Sequence, residues 1–491
     1  MKFSFELKTF FGVAALIFVV NLLFTNDYTT FWNGAESDLL LASQIGEQTL
    51  ALFPKWKLMT IAKVAGFQSF MLRLPSVLIL ISSLIGFWFF GKQVFGNRTT
   101  LFTILILISS FLVPNLSKWA TGDAWLFGSH LLTATTLILY IKRPQTGTLI
   151  AAVLFSIIGL GTNFYATSLF LIPLLAYWFV RHPQGKKTAL LAFLPAIILF
   201  GAYGFLYLNG AVSGTYLAPF ELSIPKYLGI SLLGMLPWIA FLPAAFIDMF
   251  AKLKKKEEMS IITSGWLLAG LLSFSISLQA AFAFLIAKQI QAFFHPNYPY
   301  TNWVKTFGVL NIVGAFVGGM LLMLNGFYLL EMEGFRLGMS VGAVYWIPGF
   351  LGVVGLMGKR NSMMMGGMAA SGLLFTFFFW ARIGPVMNTF RVLPAQVSEA
   401  AAATGKKEVL YFLANEEVPK NYRVEGMKYF QNVMTIALYD MQTVRPTVKD
   451  AMVCKNEIPK SFRFSKNTTV DTIVGRKGLY EEEVKWLIIN K

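Results

Sequence analysis

The stretch that decides the fold is Arg73-Leu74-Pro75-Ser76 and the run VLILISSLIGFWFFG that follows it, residues 77–91. From Leu74 to Gly91 there is no charged side chain, and this length and composition are typical of a transmembrane helix. The whole chain has the same character, since 56% of its 491 residues are hydrophobic and 13% are charged. Soluble domains carry about 25% charged residues, so this composition excludes a soluble enzyme, a disordered chain and a fibrous repeat. The sequence predicts a polytopic membrane protein.

Further apolar stretches lie on both sides of this run, and the charges between them predict the topology. The positive-inside tendency places five basic clusters in the cytoplasm: Lys92 to Arg98, Lys142-Arg143, Arg181 to Lys187, Lys252 to Lys256 and Lys359-Arg360. The short region 260–293 must then cross twice, because a single crossing would put the last cluster outside. We expect about thirteen spans in the inner (plasma) membrane, with the N-terminus cytoplasmic and the C-terminus extracytoplasmic. The expected spans are 9–24, 74–91, 99–113, 124–141, 147–162, 164–181, 188–208, 227–250, 260–275, 277–293, 305–326, 338–357 and 362–383.

Net charge and cysteine content exclude two further interpretations. The net charge of +17 does not indicate nucleic-acid binding, because the basic residues lie in short clusters between apolar runs, as in loops facing anionic lipid. The single cysteine, Cys454, cannot form an intrachain disulfide.

The first apolar run has no signal-peptide cleavage pattern after it and is expected to be a retained membrane helix.

Two segments are not expected to be membrane helices. Residues 25–72 form a long outer loop whose apolar residues recur at helical spacing, which favours helices lying at the membrane surface. Residues 386–491 have normal soluble charge density, with strand-like runs at 409–413 and 434–439 and a helical pattern at 481–489. The sequence therefore predicts an all-α membrane domain over 1–385 and a small extracytoplasmic α/β domain over 386–491.

Acidic residues at one membrane boundary are the candidates for chemistry, because a carboxylate there is costly. Glu36 and Asp38 lie near the start of the outer loop, and Asp123 lies in the short connection between the third and fourth spans. On the predicted topology all three face the same side. A carboxylate there could take a proton from an acceptor hydroxyl while another group holds a phosphate. The alternatives are that Asp123 caps a helix and that Glu36 and Asp38 are solvated loop charges.

The order of these features resembles the GT-C membrane glycosyltransferases of the family 39 kind, which include protein O-mannosyltransferases and the lipid A aminoarabinose transferase. In those proteins a first helix leads to a long outer loop that opens with an acidic motif and ends in an Arg-Leu-Pro-Ser run. A second acid follows the third span. Here these landmarks are Glu36-Ser37-Asp38, Arg73-Leu74-Pro75-Ser76 and Asp123. Gly159 to Asn163, followed by Leu171-Ile172-Pro173, is similar to a later signature.

The resemblance implies transfer of a sugar from a polyprenyl-phosphate donor to a lipid, glycan or protein acceptor outside the cytoplasm. Glu36, Asp38 and Asp123 would be the catalytic carboxylates. The donor phosphate would be held by cations at the outer boundary, for which Arg73, Lys57, Lys55 and Lys118 are the candidates. The alternative for each cation is that it snorkels to the membrane interface. No ligand spacing demands a metal, although a divalent ion bridging carboxylate and phosphate fits the chemistry.

The chain also departs from the family pattern. Asn163 stands where the family has a basic residue, and the turn from Ser275 to Gln279 lacks the Lys and Tyr often found there. His130, on the same span as Asp123, is expected to pack in the core. These departures keep open a non-catalytic subunit that binds a membrane protein partner through its outer domain. A transporter of lipid-linked sugars is a separate alternative, which would have charged residues near mid-membrane or paired broken helices.

Overall fold

The computed structural model describes residues 5–26, 48–49, 52–65, 68–181, 223–385, 393–414, 420–437, 449–455, 469–476 and 483–490, with residues 193–194, 198, 201–202, 204–205, 208–209, 214–215 and 418. Two compact units are present. The first comprises residues 1–26, 48–54 and 73–380, and the second 27–47, 55–72 and 381–491. The domain boundary expected after residue 385 stays a prediction.

Helices form nearly all of the described chain before residue 386, as the apolar stretches predict. They are α1 (Phe5–Phe24), α2 (Leu52–Ala65), α3 (Ser69–Phe95), α4 (Asn97–Ser109), α5 (Leu112–Asn115), α6 (Asp123–Lys142), α7 (Thr146–Thr162), α8 (Phe164–Arg181), α9 (Ile224–Leu233), α10 (Leu242–Lys254), α11 (Glu258–Leu272), α12 (Leu278–Phe293), α13 (Thr301–Met357) and α14 (Asn361–Phe378). A short 3₁₀ turn at Leu116–Lys118 extends α5, and a second one at Trp238–Phe241 precedes α10. A π-helical turn at Phe379–Ile383 extends α14. The strands β1 (Gln48–Thr49) and β2 (Gly214–Thr215) pair in parallel.

The 57-residue helix α13 reverses direction within its length. A β-carbon at Gly326 would lie 2.5 Å from the carbonyl oxygen of Gly334, whereas eight residues of straight helix rise about 12 Å. The first arm, Thr301–Tyr328, therefore runs back along the second arm, Met332–Met357. These two arms correspond to the predicted spans 305–326 and 338–357.

The expectation of two helices within 260–293 is confirmed by α11 and α12, which are joined by the turn 273–277. Five helices in the described residues are long and apolar enough to cross a membrane, or seven if each of two bent pairs counts as one span. Five shorter apolar helices have 10–17 residues. The predicted total of thirteen is not confirmed, and the predicted span 188–208 lies mostly outside the described residues.

The second unit contains a five-stranded sheet. Its strands are β3 (Val409–Leu413), β4 (Asn432–Ile436), β5 (Ala451–Lys455), β6 (Thr469–Arg476) and β7 (Glu483–Asn490), in the order β4-β3-β5-β7-β6. β3 pairs in parallel with β4 and β5, and β7 is antiparallel to β5 and β6. Helices α15 (Leu393–Ala403) and α16 (Lys420–Gly426) pack on one face through a core that includes Val397, Phe412, Tyr422, Val453 and Trp486. The small C-terminal α/β domain is thus confirmed.

One local prediction in this unit is wrong. The pattern at 481–489 predicts a helix, but the segment forms strand β7. Trp486 and Ile488 enter the core shared with the helices, while Leu487 and Ile489 belong to the cluster on the other face. Because consecutive apolar side chains from Trp486 to Ile489 pack on both faces of the sheet, the segment lacks the alternation that identifies a half-buried strand.

Candidate functional site

The candidate site begins in the bent segment between α4 and α6. Here α5 and its 3₁₀ turn continue α4 at an angle of 60°. The main chain fixes this bend, because the N–H of Phe111 donates to the carbonyl oxygen of Leu236 at 3.1 Å. The segment ends at Lys118, whose side chain is 1% exposed. The bend therefore delivers a cation into the protein interior.

The C-terminal end of α1 holds the ammonium group of Lys118. Its Nζ donates to the carbonyl oxygen of Asn21 at 2.9 Å and contacts the hydroxyl of Thr25. That hydroxyl also donates to the Asn21 carbonyl, at 2.5 Å. The carbonyls at the end of a helix carry the negative end of its dipole, and the carbonyl oxygen of Asn21 also accepts the N–H of Thr25 at 3.2 Å. The end of α1 therefore stabilises a buried positive charge.

A second buried cation lies close by. Arg73, near the start of α3, is 0% exposed, and its Nη1 donates to the carbonyl oxygen of Asn26 at 3.2 Å. The charges of Arg73 and Lys118 are close enough to repel each other. Burying like charges together is unfavourable unless negative groups compensate them. Two such cations suit an anion with several oxygen atoms, and the planar fork of arginine matches a phosphate.

Polar atoms around these cations have unused hydrogen-bonding capacity. Within the described residues, neither amide atom of the buried Asn26 side chain has a partner, and Nδ2 of Asn21 and Oγ of Ser76 also have none. Ser76 lies one helical turn after Arg73. Leaving a buried polar atom unpaired costs about 1–3 kcal/mol. The oxygen atoms of a bound anion would accept hydrogen bonds from the Nδ2 groups of Asn21 and Asn26 and from the hydroxyl of Ser76.

Asp123 is the first residue of α6, and Gly122 occupies the capping position before it. The structure therefore contradicts the alternative in which Asp123 itself caps this helix. Its Oδ2 accepts a hydrogen bond from the hydroxyl of Thr121 at 2.7 Å, and the residue is half-buried. A carboxylate at the positive end of a helix is stabilised in its charged form. Asp123 follows Lys118 by five residues in the same connection.

The predicted phosphate-binding cations are buried where the structure describes them. The burial of Arg73 and Lys118 contradicts the alternative that these two side chains snorkel to the membrane interface. Lys57, on α2, is also buried, at 5% exposure. Glu36 and Asp38, and the side chain of Lys55, lie outside the described residues. Convergence of Glu36 or Asp38 with Asp123 therefore stays a prediction.

Sequence reasoning missed Asn21, Thr25 and Asn26, which surround the two cations. One signal was available, because Asn21 is a polar residue inside the apolar stretch 9–24. Its pairing with Lys118 spans 97 residues, and no local pattern encodes such a contact.

The departures from the family pattern have structural roles here. Oδ1 of Asn163 accepts a hydrogen bond from the N–H of Ala166 at 3.1 Å, so Asn163 caps α8. In the 273–277 turn, the Ser275 hydroxyl bonds that of Ser277 at 2.8 Å, and Ser277 in turn bonds Nδ1 of His130.

His130 is 1% exposed and stacks on Phe170 with ring centroids 4.1 Å apart, so its expected core position is confirmed. Its Nε2 bonds the hydroxyl of Thr167, at 3.0 Å. The histidine thus links α6 to α8 and to the serine turn, and this hydrogen-bonded role was not predicted.

Among the described residues, no group of three or more His, Cys, Asp and Glu side chains converges to form a metal site. Because Glu36 and Asp38 are outside that set, a divalent ion at the site stays a prediction. The described part of the site is a pair of buried cations followed by one carboxylate.

Comparison with known proteins gives the following relationships. Residues 50–206, about a third of the chain, match the family model described as dolichyl-phosphate-mannose-protein mannosyltransferase. No curated protein sequence matches the chain. The structure is similar to that of ArnT from Cupriavidus metallidurans bound to undecaprenyl phosphate, with a TM-score of 0.66, 13% identity, and coverage of 99% of this chain and 98% of that one. The apo form of the same ArnT matches with a TM-score of 0.64 at the same identity and coverage. The chain therefore has the ArnT fold along almost its whole length, and the resemblance to GT-C membrane glycosyltransferases is confirmed.

Proposed function

We propose that the protein is an integral membrane glycosyltransferase that takes a sugar from a polyprenyl-phosphate donor and transfers it to a lipid, glycan or protein acceptor on the extracytoplasmic side. The observation that carries this proposal is the buried pair Arg73 and Lys118, with polar atoms of Asn21, Asn26 and Ser76 that have no partner among the described residues. Phosphate is the anion that this set of donors fits best. The undecaprenyl phosphate in the ArnT structure supports the same donor class.

In the proposed reaction the cation pair holds the donor phosphate, and a carboxylate acts on the acceptor. Asp123, Glu36 or Asp38 takes the proton of the acceptor hydroxyl as its oxygen attacks the anomeric carbon. The new bond joins that carbon to the acceptor oxygen. The bond from the carbon to the phosphate oxygen breaks, and polyprenyl phosphate leaves with the electron pair. The buried cations stabilise the charge that develops on this leaving group.

Binding of undecaprenyl phosphate to the purified protein in detergent micelles tests the cation pair. The variants Lys118→Met and Arg73→Met should each weaken binding at least tenfold. Lys254→Met is the matched control, because Lys254 is an exposed cation at the end of α10. Unchanged binding in both cation variants would contradict the proposal.

Catalysis is tested separately from binding. Asp123→Asn should reduce sugar transfer from a polyprenyl-phosphate sugar by at least a hundredfold while undecaprenyl phosphate still binds. The control is Asp471→Asn, which changes an exposed carboxylate on β6. If Asp123→Asn, Glu36→Gln and Asp38→Asn, each made as a single variant, all transfer the sugar at the full rate, these carboxylates are not catalytic.

A second candidate function is supported by the structural use of Asn163 and of the serine turn. Asn163, at a position where the family has a basic residue, caps α8. The turn from Ser275 to Gln279, where the family often has a lysine and a tyrosine, holds His130 through Ser277. This supports a subunit that binds a polyprenyl phosphate or a partner protein without catalysis. On this alternative undecaprenyl phosphate binds and depends on Lys118, but no transfer occurs and Asp123→Asn changes nothing.

A further inference from the structure

The end of the first unit that lies opposite the candidate site gathers basic side chains from several helices. Asp123 begins α6 and Lys142 ends it, and 20 residues of helix rise about 30 Å. Nζ of Lys142 donates to the carbonyl oxygen of Val94, near the end of α3, at 3.1 Å. Lys288, in the last two turns of α12, interacts electrostatically with Lys142 and with Lys252, near the end of α10. Three lysines from three helices therefore lie together at one membrane boundary.

A small polar hollow lies beside two of these lysines, between α10, α11 and α12. The polar side chains that line it are those of Asp248, Lys252, Ser260, Thr263, Lys288 and Gln289. Ser260 and Thr263 are buried, whereas Lys252 and Lys288 are half-buried and lie toward its mouth. Its volume of about 10 Å³ is close to the least space that one water molecule needs. The hollow therefore admits a single oxygen atom.

The acidic side chain in the wall of the hollow is already compensated. Oδ2 of Asp248 accepts hydrogen bonds from Nζ of Lys252 and from Nε2 of Gln289, both at 2.8 Å. The hydroxyl of Tyr298 in turn donates to Oε1 of Gln289 at 2.6 Å. This network holds α10 against α12, and it pairs the carboxylate with Lys252 rather than with Lys288.

Lys288 carries the charge that remains uncompensated. It makes no ion pair or hydrogen bond with any residue that the structure describes, and its ammonium lies 5.7 Å from the ring centroid of Phe284. The other two lysines repel it, and of the two acids that attract it, Asp248 is already paired and Glu257 is exposed. An ionisable side chain within an apolar helix is costly and tends to be functional. Since the three lysines outnumber the two acids, the site attracts an anion.

Phosphate is the anion that fits this arrangement. One of its oxygen atoms would fill the hollow and accept a hydrogen bond from the hydroxyl of Ser260, in the first turn of α11. The N-terminus of a helix carries the positive end of its dipole and favours an anion. The remaining phosphate oxygens would face the ammonium groups at the mouth.

The position in the membrane favours a lipid as the source of this phosphate. Lys288 belongs to an apolar helix, and lipid headgroups carry phosphate at the level where such helices end. Ile247 and Phe250, on the same helix as Lys252, are 39% and 55% exposed and are available to acyl chains. Basic pockets between membrane helices bind anionic headgroups in this way.

We propose that this hollow binds the phosphate group of an anionic lipid in the leaflet opposite the candidate site, and that Lys288 is its principal ion-pair partner. One phosphate oxygen lies in the hollow on Ser260, and Lys142 and Lys252 flank the headgroup. This inference does not depend on the proposed reaction, because its site lies at the other end of α6.

Native mass spectrometry of the full chain in detergent micelles, titrated with dioleoylphosphatidylglycerol, tests this site. We expect one tightly bound lipid. Lys288→Met should raise its dissociation constant about tenfold, the usual effect of losing one charge-assisted hydrogen bond. Lys254→Met is the matched control, because it removes an exposed lysine at the same boundary that does not line the hollow. Equal effects of the two variants, or no bound lipid, would overturn the proposal.

A second pair of variants tests the hollow without changing the charge. Ser260→Ala should raise the dissociation constant about threefold, as expected for the loss of one hydrogen bond. Ser264→Ala, on the same helix but outside the hollow, should leave it unchanged. The unfolding midpoint in lipid-free micelles shows whether each variant folds. If inorganic phosphate raises that midpoint as much as the lipid does, free phosphate is the occupant and the lipid assignment is wrong.

Discussion

The ammonium of Lys118 and the carbonyl oxygen of Asn21 lie 2.9 Å apart, which ties the connection before α6 to the end of the first membrane helix. Two regions far apart in sequence thus share one buried polar contact. Arg73 makes the corresponding contact to Asn26 from the start of α3. Both cations are therefore held at the C-terminal end of α1 by backbone carbonyls, which a side-chain substitution does not remove.

Thr25→Val should lower stability by about 0.5–1.5 kcal/mol, the usual value of one hydrogen bond. It removes the hydroxyl that contacts Lys118 while keeping the shape of the side chain. The effect is measured as the shift in the thermal unfolding midpoint of the purified protein. Thr60→Val, which removes an exposed hydroxyl from α2, is the control and should shift the midpoint less. A larger shift for Thr60→Val would argue against a stabilising role for Thr25.

Arg73→Lys should weaken undecaprenyl phosphate binding about tenfold even though the charge is kept. A lysine ammonium cannot present two parallel N–H groups to phosphate oxygens as arginine does. Titration of the lipid against wild type and variant gives the ratio of dissociation constants. Arg360→Lys, outside the site, controls for general effects of the exchange. Equal affinity for Arg73→Lys would mean that only the charge at this position matters.

Cys454 should react slowly with alkylating reagents in the folded protein. Burial raises the pKa of its thiol from the ordinary value of 9.0 to about 11, and the thiolate is the reactive form. The alkylation rate should therefore rise about tenfold per pH unit up to pH 10, whereas in denaturant it should level off near pH 9. Because the folded-state pKa is raised, this group contributes stability below pH 9 that is lost as the pH rises toward 11. A rate that levels off near pH 9 in the native protein would contradict the burial of this thiol.

Gly372→Ala should destabilise the membrane unit by more than about 3 kcal/mol, in the range of severe overpacking. A β-carbon there would lie 1.7 Å from the carbonyl oxygen of Ser109, so α14 and α4 would have to separate. Gly366→Ala on the same helix meets open space and should be tolerated. The yield of folded monodisperse protein and its unfolding temperature report both effects. Normal yield and stability for Gly372→Ala would show that the helices can move apart at little cost.

The helices of the membrane unit could be predicted because apolar runs of membrane length leave few alternatives. The break between α11 and α12 was also predictable, from loop charge. The sequence predicted two spans in the region of α13, at 305–326 and 338–357. No residue pattern predicts that the helix continues through the turn between them. The segment 481–489 was misassigned, because a strand buried on both faces lacks the alternation that identifies exposed sheets.

The candidate site was predictable only in its charged residues. Arg73 and Lys118 were identified by their place in the chain, but whether they face lipid or the interior depends on contacts 47 and 97 residues away. Asn163 shows the same limit. From the sequence, Asn163 was interpreted as the loss of a basic residue that the family has at this position. Only its hydrogen bond with the N–H of Ala166 identifies it as a helix cap.

The paired cations also have a consequence for turnover on the proposed function. A sugar phosphodiester carries one negative charge, whereas the monoester left after transfer approaches two near neutrality, since its second pKa is about 6. Two adjacent positive groups attract the spent carrier more strongly than the loaded one. Departure of the empty carrier, rather than formation of the glycosidic bond, would then limit the rate of each cycle.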